Sequence, residues 1–223
     1  MCSDFNGDGC ADAAWANGIN DSFSVAYGTP VRSRPPVSVD GGAPCLGAAM
    51  ADFNGDGYPD ALIMDESQRA FISYGGPAGH QPLHPFRTLG AYDMACGDIN
   101  GDGFADAAFT NRTSTEETYI AYGSPWGHLV CEYIPDANPL DFNLPTAIAI
   151  GDFNADGFDD TAFTRFVTND IQVNYGSPGG PTAGVILAAG AMPWELVAGD
   201  VDNAGDDDLV CANISSNNLR RCK

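Results

Sequence analysis

Positive charge is scarce in this chain. Nine Lys and Arg stand against 30 Asp and Glu, a formal net charge of −21 and a pI near 4.1. Nucleic acid and anionic membranes both require basic surface, so neither is expected as a partner. No apolar stretch approaches the roughly 18–20 residues of a membrane span, so membrane insertion is not expected either. The opening MCSDFNGDGC has neither a basic nor an apolar run, and no secretory leader is expected within this numbering. No segment of ten or more residues shows a helical period, and no Gly-x-Ser-x-Gly, P-loop, His-Glu-x-x-His or dinucleotide fingerprint occurs. The seven cysteines have neither zinc-finger nor thioredoxin spacing. Disorder is excluded by a hydrophobic content of 44%. The 27 glycines and 15 prolines suit short strands and turns.

What is abundant is periodic. One nine-residue phrase recurs: Asp4–Asp12, Asp52–Asp60, Asp98–Asp106, Asp152–Asp160, and a worn copy at Asp200–Asp208. The copies start 46–54 residues apart and hold 18 of the 30 acidic residues. A merely solvated surface would scatter its charge instead. The phrase, D-x-N-x-D-G-x-x-D, matches the first nine positions of a calcium loop. Calcium takes six to eight hard oxygen ligands, which side chains at positions 1, 3, 5 and 9 and a carbonyl at 7 can supply. In the second copy these are Asp52, Asn54, Asp56, the Tyr58 carbonyl and Asp60, with Gly57 turning the chain. The plainer alternative is a set of Asx- and Gly-rich turns. Three carboxylates gathered repeatedly without a cation would repel one another, which favours calcium.

An EF-hand is excluded. Its twelfth position carries a bidentate Glu, but Trp15, Ile63, Phe109 and Phe163 stand there. Short apolar runs follow the loops (Ala61–Met64, Ala107–Phe109), and these read as buried strands. About 23 residues after each loop comes a second phrase: Tyr27-Gly-Thr-Pro30, Tyr74-Gly-Gly-Pro77, Tyr122-Gly-Ser-Pro125 and Tyr175-Gly-Ser-Pro178. The second repeat parses as strand Leu46–Ala51, loop, strand Ala61–Asp65, turn Glu66–Arg69, strand Ala70–Tyr74, and a weaker strand near Leu83–Leu89. Four short strands per period predict an all-β fold, a β-propeller of four-stranded antiparallel blades.

A calcium loop followed by an aromatic-Gly-x-Pro turn resembles the FG-GAP (VCBS-type) repeat of calcium-binding propellers such as those of integrin α-subunits. The resemblance spans nearly the whole chain and implies calcium between the first and second strands of each blade. The implied ligands are Asp4, Asn6, Asp8, Cys10 and Asp12; Asp52, Asn54, Asp56, Tyr58 and Asp60; Asp98, Asn100, Asp102, Phe104 and Asp106; and Asp152, Asn154, Asp156, Phe158 and Asp160, the position-7 residue acting through its carbonyl. In the fifth copy Asp200, Asp202 and Asp208 keep positions 1, 3 and 9, but Ala204 replaces the central Asp. About four calcium sites are therefore expected, with a fifth weak or empty unless Asp206 or Asp207 swings in. The resemblance also implies an extracellular location and says little about the ligand; the expected partners are glycans or extracellular proteins, this chain itself included.

The expected organisation is a single domain over 1–223, with repeats starting near 1, 46, 94, 146 and 194. Five blades are expected, or a part of a larger ring. Cys211 and Cys222 flank Ser216-Asn217 symmetrically, so a hairpin turning there would place them opposite each other for a disulfide. Sequons at Asn20, Asn111 and Asn213 are candidate glycosylation sites. His80, His84 and His128 read as surface residues, Trp15 and Trp194 as core, and Trp126 as a structural lid or a stacking platform for sugar. Calcium loops and Tyr-Gly-x-Pro turns should share one end of each blade, leaving the variable turns at the other end for a ligand. A binding or adhesion module is the leading expectation. The alternatives are a structural subunit of a filament or matrix, and a propeller-type polysaccharide-modifying enzyme.

Overall fold

In the computed structural model the described residues are 2–17, 22–29, 37–40, 44–86, 90–112, 118–127, 130–134, 143–182 and 184–222. Among them there is no helix, and none therefore long and apolar enough to cross a membrane. The strands fall into consecutive antiparallel sheets. The first contains β1 (Cys2–Ser3), β2 (Asp12–Asn17), β3 (Ser22–Ala26) and β4 (Val37–Asp40). The second contains β5 (Cys45–Ala51), β6 (Asp60–Asp65), β7 (Ala70–Ser73) and β8 (His84–Phe86). The third has β9 (Ala91–Gly97), β10 (Asp106–Asn111), β11 (Tyr119–Tyr122) and β12 (Val130–Tyr133). The fourth has β13 (Ile148–Gly151), β14 (Asp160–Arg165), β15 (Asp170–Asn174) and β16 (Val185–Ala188). The last has three strands, β17 (Pro193–Gly199), β18 (Asp208–Asn213) and β19 (Asn218–Cys222). Each sheet is a blade in strict chain order, as the repeat predicts.

The burial pattern explains the sequence pattern. β6, β10 and β14 are buried at every position, which is why they lack polar alternation. The outer strands β12 and β16 are exposed, and β8 tolerates Pro85 because an outer strand need not donate on both sides.

The chain forms two compact units, Met1–Ala91 with Gly123–Leu129, and Tyr92–Tyr122 with Val130–Lys223. The first is centred on Phe5, Phe23, Val25, Ala61 and Ile63. The second has two clusters, one of Ile99, Ala108, Ile120, Ile148 and Phe163, the other including Ile171, Val173, Leu196 and Leu209. Fully burying each such side chain is worth about 1.5–3 kcal/mol.

Several expectations are corrected. Cys211 pairs with Arg220 and Cys222 with Leu209, because the hairpin turns over Ile214–Asn217 and not about Ser216-Asn217. The two thiols are diagonal neighbours in one apolar cluster, and both are free. Asn111 and Asn213 end β10 and β18 with buried side chains, so neither is presented as a glycan acceptor. Asn213 instead accepts the Gly190 N–H at 2.9 Å and donates to Asn218 at 3.1 Å. Asn20 and His128 lie outside the described residues. His80 is not a surface residue: it packs edge-on against Phe5 and Phe23, and burial lowers its pKa. Trp15 and Trp194 are 39% and 36% exposed and not core, while Trp126 is 82% exposed and covers nothing.

Candidate functional site

The first four loops repeat one hydrogen-bonding scheme. The position-1 carboxylate accepts the N–H groups of positions 5 and 6: Asp4 from Asp8 (3.1 Å) and Gly9 (2.8 Å), Asp52 from Asp56 (3.2 Å) and Gly57 (2.8 Å). Asp98 and Asp152 do the same with Asp102 and Gly103, and with Asp156 and Gly157. At position 3, the amides of Asn6, Asn54, Asn100 and Asn154 accept the position-5 N–H through oxygen and donate through nitrogen to the position-5 carboxylate. The other oxygens of Asp8, Asp56, Asp102 and Asp156 accept the N–H of Cys10, Tyr58, Phe104 and Phe158. Every side-chain oxygen of positions 1, 3 and 5 thus accepts a hydrogen bond from within its own loop. The position-6 glycines make this possible, with φ of +83° to +89°.

Position 9 does a different job. Asp12, Asp60, Asp106, Asp160 and Asp208 are all buried, at 0–1% exposure. One oxygen accepts the position-2 N–H of its own loop, from Phe5, Phe53, Ile99, Phe153 or Val201, at 2.8–3.2 Å. The other reaches the glycine of the Tyr-Gly-x-Pro turn: Asp12 to Gly28 (2.6 Å), Asp60 to Gly75 (2.8 Å) and Asp160 to Gly176 (2.8 Å). That turn glycine is required by close approach, since a Cβ on Gly28, Gly75 or Gly176 would lie 2.3 Å from the position-8 carbonyl. The two phrases seen in the sequence are therefore halves of one device. A carboxylate oxygen has a second lone pair, so this role leaves capacity for a cation.

Burial raises two of these carboxyl groups, Asp60 to about 7 and Asp160 to about 6, with the neighbouring position-5 and position-1 carboxylates adding to the rise and the backbone N–H groups opposing it. The donor set consists of hard oxygens alone, which fits calcium. In the fifth loop Asp200, Asp202 and Asp208 bring carboxylate oxygens within 4.8 Å of one another, close enough for a metal ion.

Neighbouring blades are joined through these same loops. Asp159, at position 8, accepts the Asp98 N–H at 2.7 Å while its own N–H reaches the Asp98 carbonyl at 3.2 Å. Asp207 repeats the exchange with Asp152, at 3.2 and 2.9 Å. Asp207 is thus turned away from its own loop and does not compensate for Ala204. This clasp also accounts for the extra Asp159 of the fourth copy and for Asp207 of the fifth. Its sequence signal was the Gly-Asp dipeptide: a Cβ on Gly97 or Gly151 would lie 2.4–2.5 Å from the clasping carboxylate.

In the first three turns the tyrosine reaches the turn of the following blade. Tyr27 accepts the His80 N–H at 2.8 Å, and the Tyr74 hydroxyl donates to the Gly127 carbonyl. Facing each tyrosine is a glycine with positive φ: Gly79 (+94°), Gly127 (+66°) and Gly180 (+88°). In the second, third and fourth copies the motif extends to Tyr-Gly-x-Pro-x-Gly. Gly180→Ala would combine a left-handed φ with a Cβ 2.4 Å from the Tyr122 hydroxyl. We expect a loss of about 2–4 kcal/mol, read as a lower urea midpoint with an unchanged m-value.

These sheets and loops define a class: antiparallel blades of a β-propeller, four-stranded except for the three-stranded last one, each carrying an acidic loop between its first two strands. Residues 4–63 match the family model of the FG-GAP-like repeat, which is the repeat type expected from the sequence. No curated protein sequence matches the chain significantly. Among solved structures, that of BBS1N in complex with ARL6DN superposes with a TM-score of 0.64 at 13% identity, over 95% of this chain and 60% of that one. The nidogen/laminin complex gives 0.57 at 12% identity, over 99% of this chain and 72% of that one. The chain thus spans three-fifths of the length of the BBS1 structure, and at these identities the likeness is one of fold.

Proposed function

We propose that the chain is a calcium-stabilised extracellular propeller domain over 1–223 that binds a protein or glycan partner through the ends of its blades opposite the acidic loops. The observation that carries this reading is a partly exposed aromatic and apolar group in the second unit. Arg112, at the end of β10, stacks over Tyr92 at 4.5 Å and over Trp194 at 5.7 Å, and Phe166 meets Trp194 edge-on at 6.0 Å. Val167, Met192 and Ile214, each 38–54% exposed, stand in the same turns, which are tied together by Asn169 to Met192 (2.7 Å) and Ile214 to Met192 (3.0 Å). Exposed tryptophan with an arginine stacked over it is a usual anchor of an interface. Two solved structures of similar fold are complexes, BBS1N with ARL6DN and nidogen with laminin, which supports a protein partner for this fold.

The proposed metal sites are the first four loops. Positions 1, 3, 5 and 9 and the position-7 carbonyls would hold calcium, whose charge would relieve the repulsion among the carboxylates. In the extracellular setting millimolar calcium would keep such sites filled.

The test is a glycan array together with a panel of immobilised matrix proteins, probed with the wild type and with Trp194→Ala/Arg112→Ala. Binding should fall at least tenfold in the double variant, with its melting temperature in calcium shifted by only a few degrees. Trp126→Ala, at the acidic-loop end, should bind normally. Loss of binding in Trp126→Ala alone would move the partner to the other end of the blades.

A further inference from the structure

The fifth loop differs from the others at a residue outside the loop. In four blades, the third-strand residue paired two positions past the position-9 Asp is a buried β-branched one: Val25 opposite Ala14, Ile72 opposite Leu62, Ile120 opposite Ala108, Val173 opposite Ala162. In the fifth blade that residue is Arg221, opposite Val210. Its guanidinium Nη2 donates to Asp208 Oδ1 at 2.6 Å and to Asp202 Oδ2. Asp208 Oδ1 is the atom that, in the first, second and fourth blades, accepts the turn-glycine N–H.

As in the first, second and fourth loops, every oxygen of the three carboxylates is engaged, but here two of the six are held by a cationic side chain. Asp200 accepts Ala204 and Gly205 N–H at 3.0 and 3.1 Å, Asp202 Oδ1 accepts Ala204 at 3.0 Å, and Asp208 Oδ2 accepts Val201 at 3.2 Å. The remaining two are held by Arg221. Ala204 supplies neither the oxygen nor the charge of the central Asp. A metal entering here would have to expel a guanidinium and work with one ligand fewer.

We propose that Arg221 is the built-in cation of the fifth loop: its guanidinium bridges Asp202 and Asp208 where the other loops would place a metal, so this blade is held without one. The proposal rests on reading the other four loops as cation sites. The substitution couples Arg221, Ala204 and the change from Asn to Asp at position 3, since a fixed monovalent donor needs a second carboxylate more than it needs an amide.

Native mass spectrometry in saturating calcium tests this by counting ions. Arg221→Met should hold one calcium more than the wild type, and Asp202→Asn in the wild-type background should leave the count unchanged. In EDTA, Arg221→Met should melt below the wild type, and added calcium should recover more of the difference than it does for Arg221→Lys. An equal count in Arg221→Met and wild type overturns the proposal, as does the loss of one ion in Asp202→Asn; the second comparison stands even if Arg221→Met fails to fold. If the first four loops held no calcium, the wild type would count zero and Arg221→Met one, separating failure of that reading from failure of this one.

Discussion

Adding EDTA at pH 7.5 should lower the melting temperature by tens of degrees, and the same addition at pH 5 should lower it far less. Four ions would bring the net charge from −21 to −13. At free calcium 100-fold above Kd, each site stabilises the fold by about 2.7 kcal/mol. A chain of this size moves roughly 2–4 °C per kcal/mol, so four sites amount to something on the order of 20–40 °C. The pH dependence follows from burial of the position-9 groups, which raises Asp60 to about 7 and Asp160 to about 6 in the metal-free fold. A carboxyl group raised above its unfolded value contributes stability that is present at low pH and is lost as pH rises through the folded value. The metal-free protein should therefore weaken between about pH 4 and pH 7, where protons no longer stand in for the cation. A melting curve insensitive to EDTA, on protein shown to have contained calcium, would refute the calcium reading.

Asp60→Ala should destabilise the protein even in EDTA, whereas Asp52→Ala should matter only when calcium is present. Asp60 is fully buried and accepts the N–H groups of Phe53 at 3.0 Å and Gly75 at 2.8 Å. Removing it strands two donors at about 1–3 kcal/mol each, roughly 2–6 kcal/mol in all, a shift on the order of 5–20 °C. Asp52 sits in the exposed part of the loop, where water can replace it as acceptor for Asp56 and Gly57. Its loss in EDTA should cost under about 1 kcal/mol. In calcium it removes a charged ligand and should abolish the site's contribution. Denaturant melts of both variants with and without calcium read the difference; equal losses in EDTA would show that positions 1 and 9 do not divide the labour as the structure indicates.

The residues that line each loop and the strands on either side were legible without coordinates because both are local in sequence. Asp52, Asn54, Asp56 and Gly57 fall within six residues, and the apolar run after them is buried at every position, so spacing and composition carry that information directly. The hairpin at Ile214–Asn217 shows the limit of the same reasoning: symmetry about Ser216-Asn217 was plausible, but the observed register pairs Cys211 with Arg220, and register is decided by which side chains the neighbouring strand buries. Sequons and tryptophans failed for a related reason. Burial of Asn111 and Asn213 and exposure of Trp194 depend on what packs beside a strand end, which no local pattern states. The sequence by itself determined the repeat, the blade and the oxygen-rich loop, because these rest on short-range periodicity and turn chemistry. Only the tertiary structure decided that Asp60 is a strut to Gly75, that Asp159 and Asp207 clasp the loops of the preceding blades, and that Arg221 enters the fifth loop, because each joins groups 13 to 61 residues apart through the packing of strands and blades.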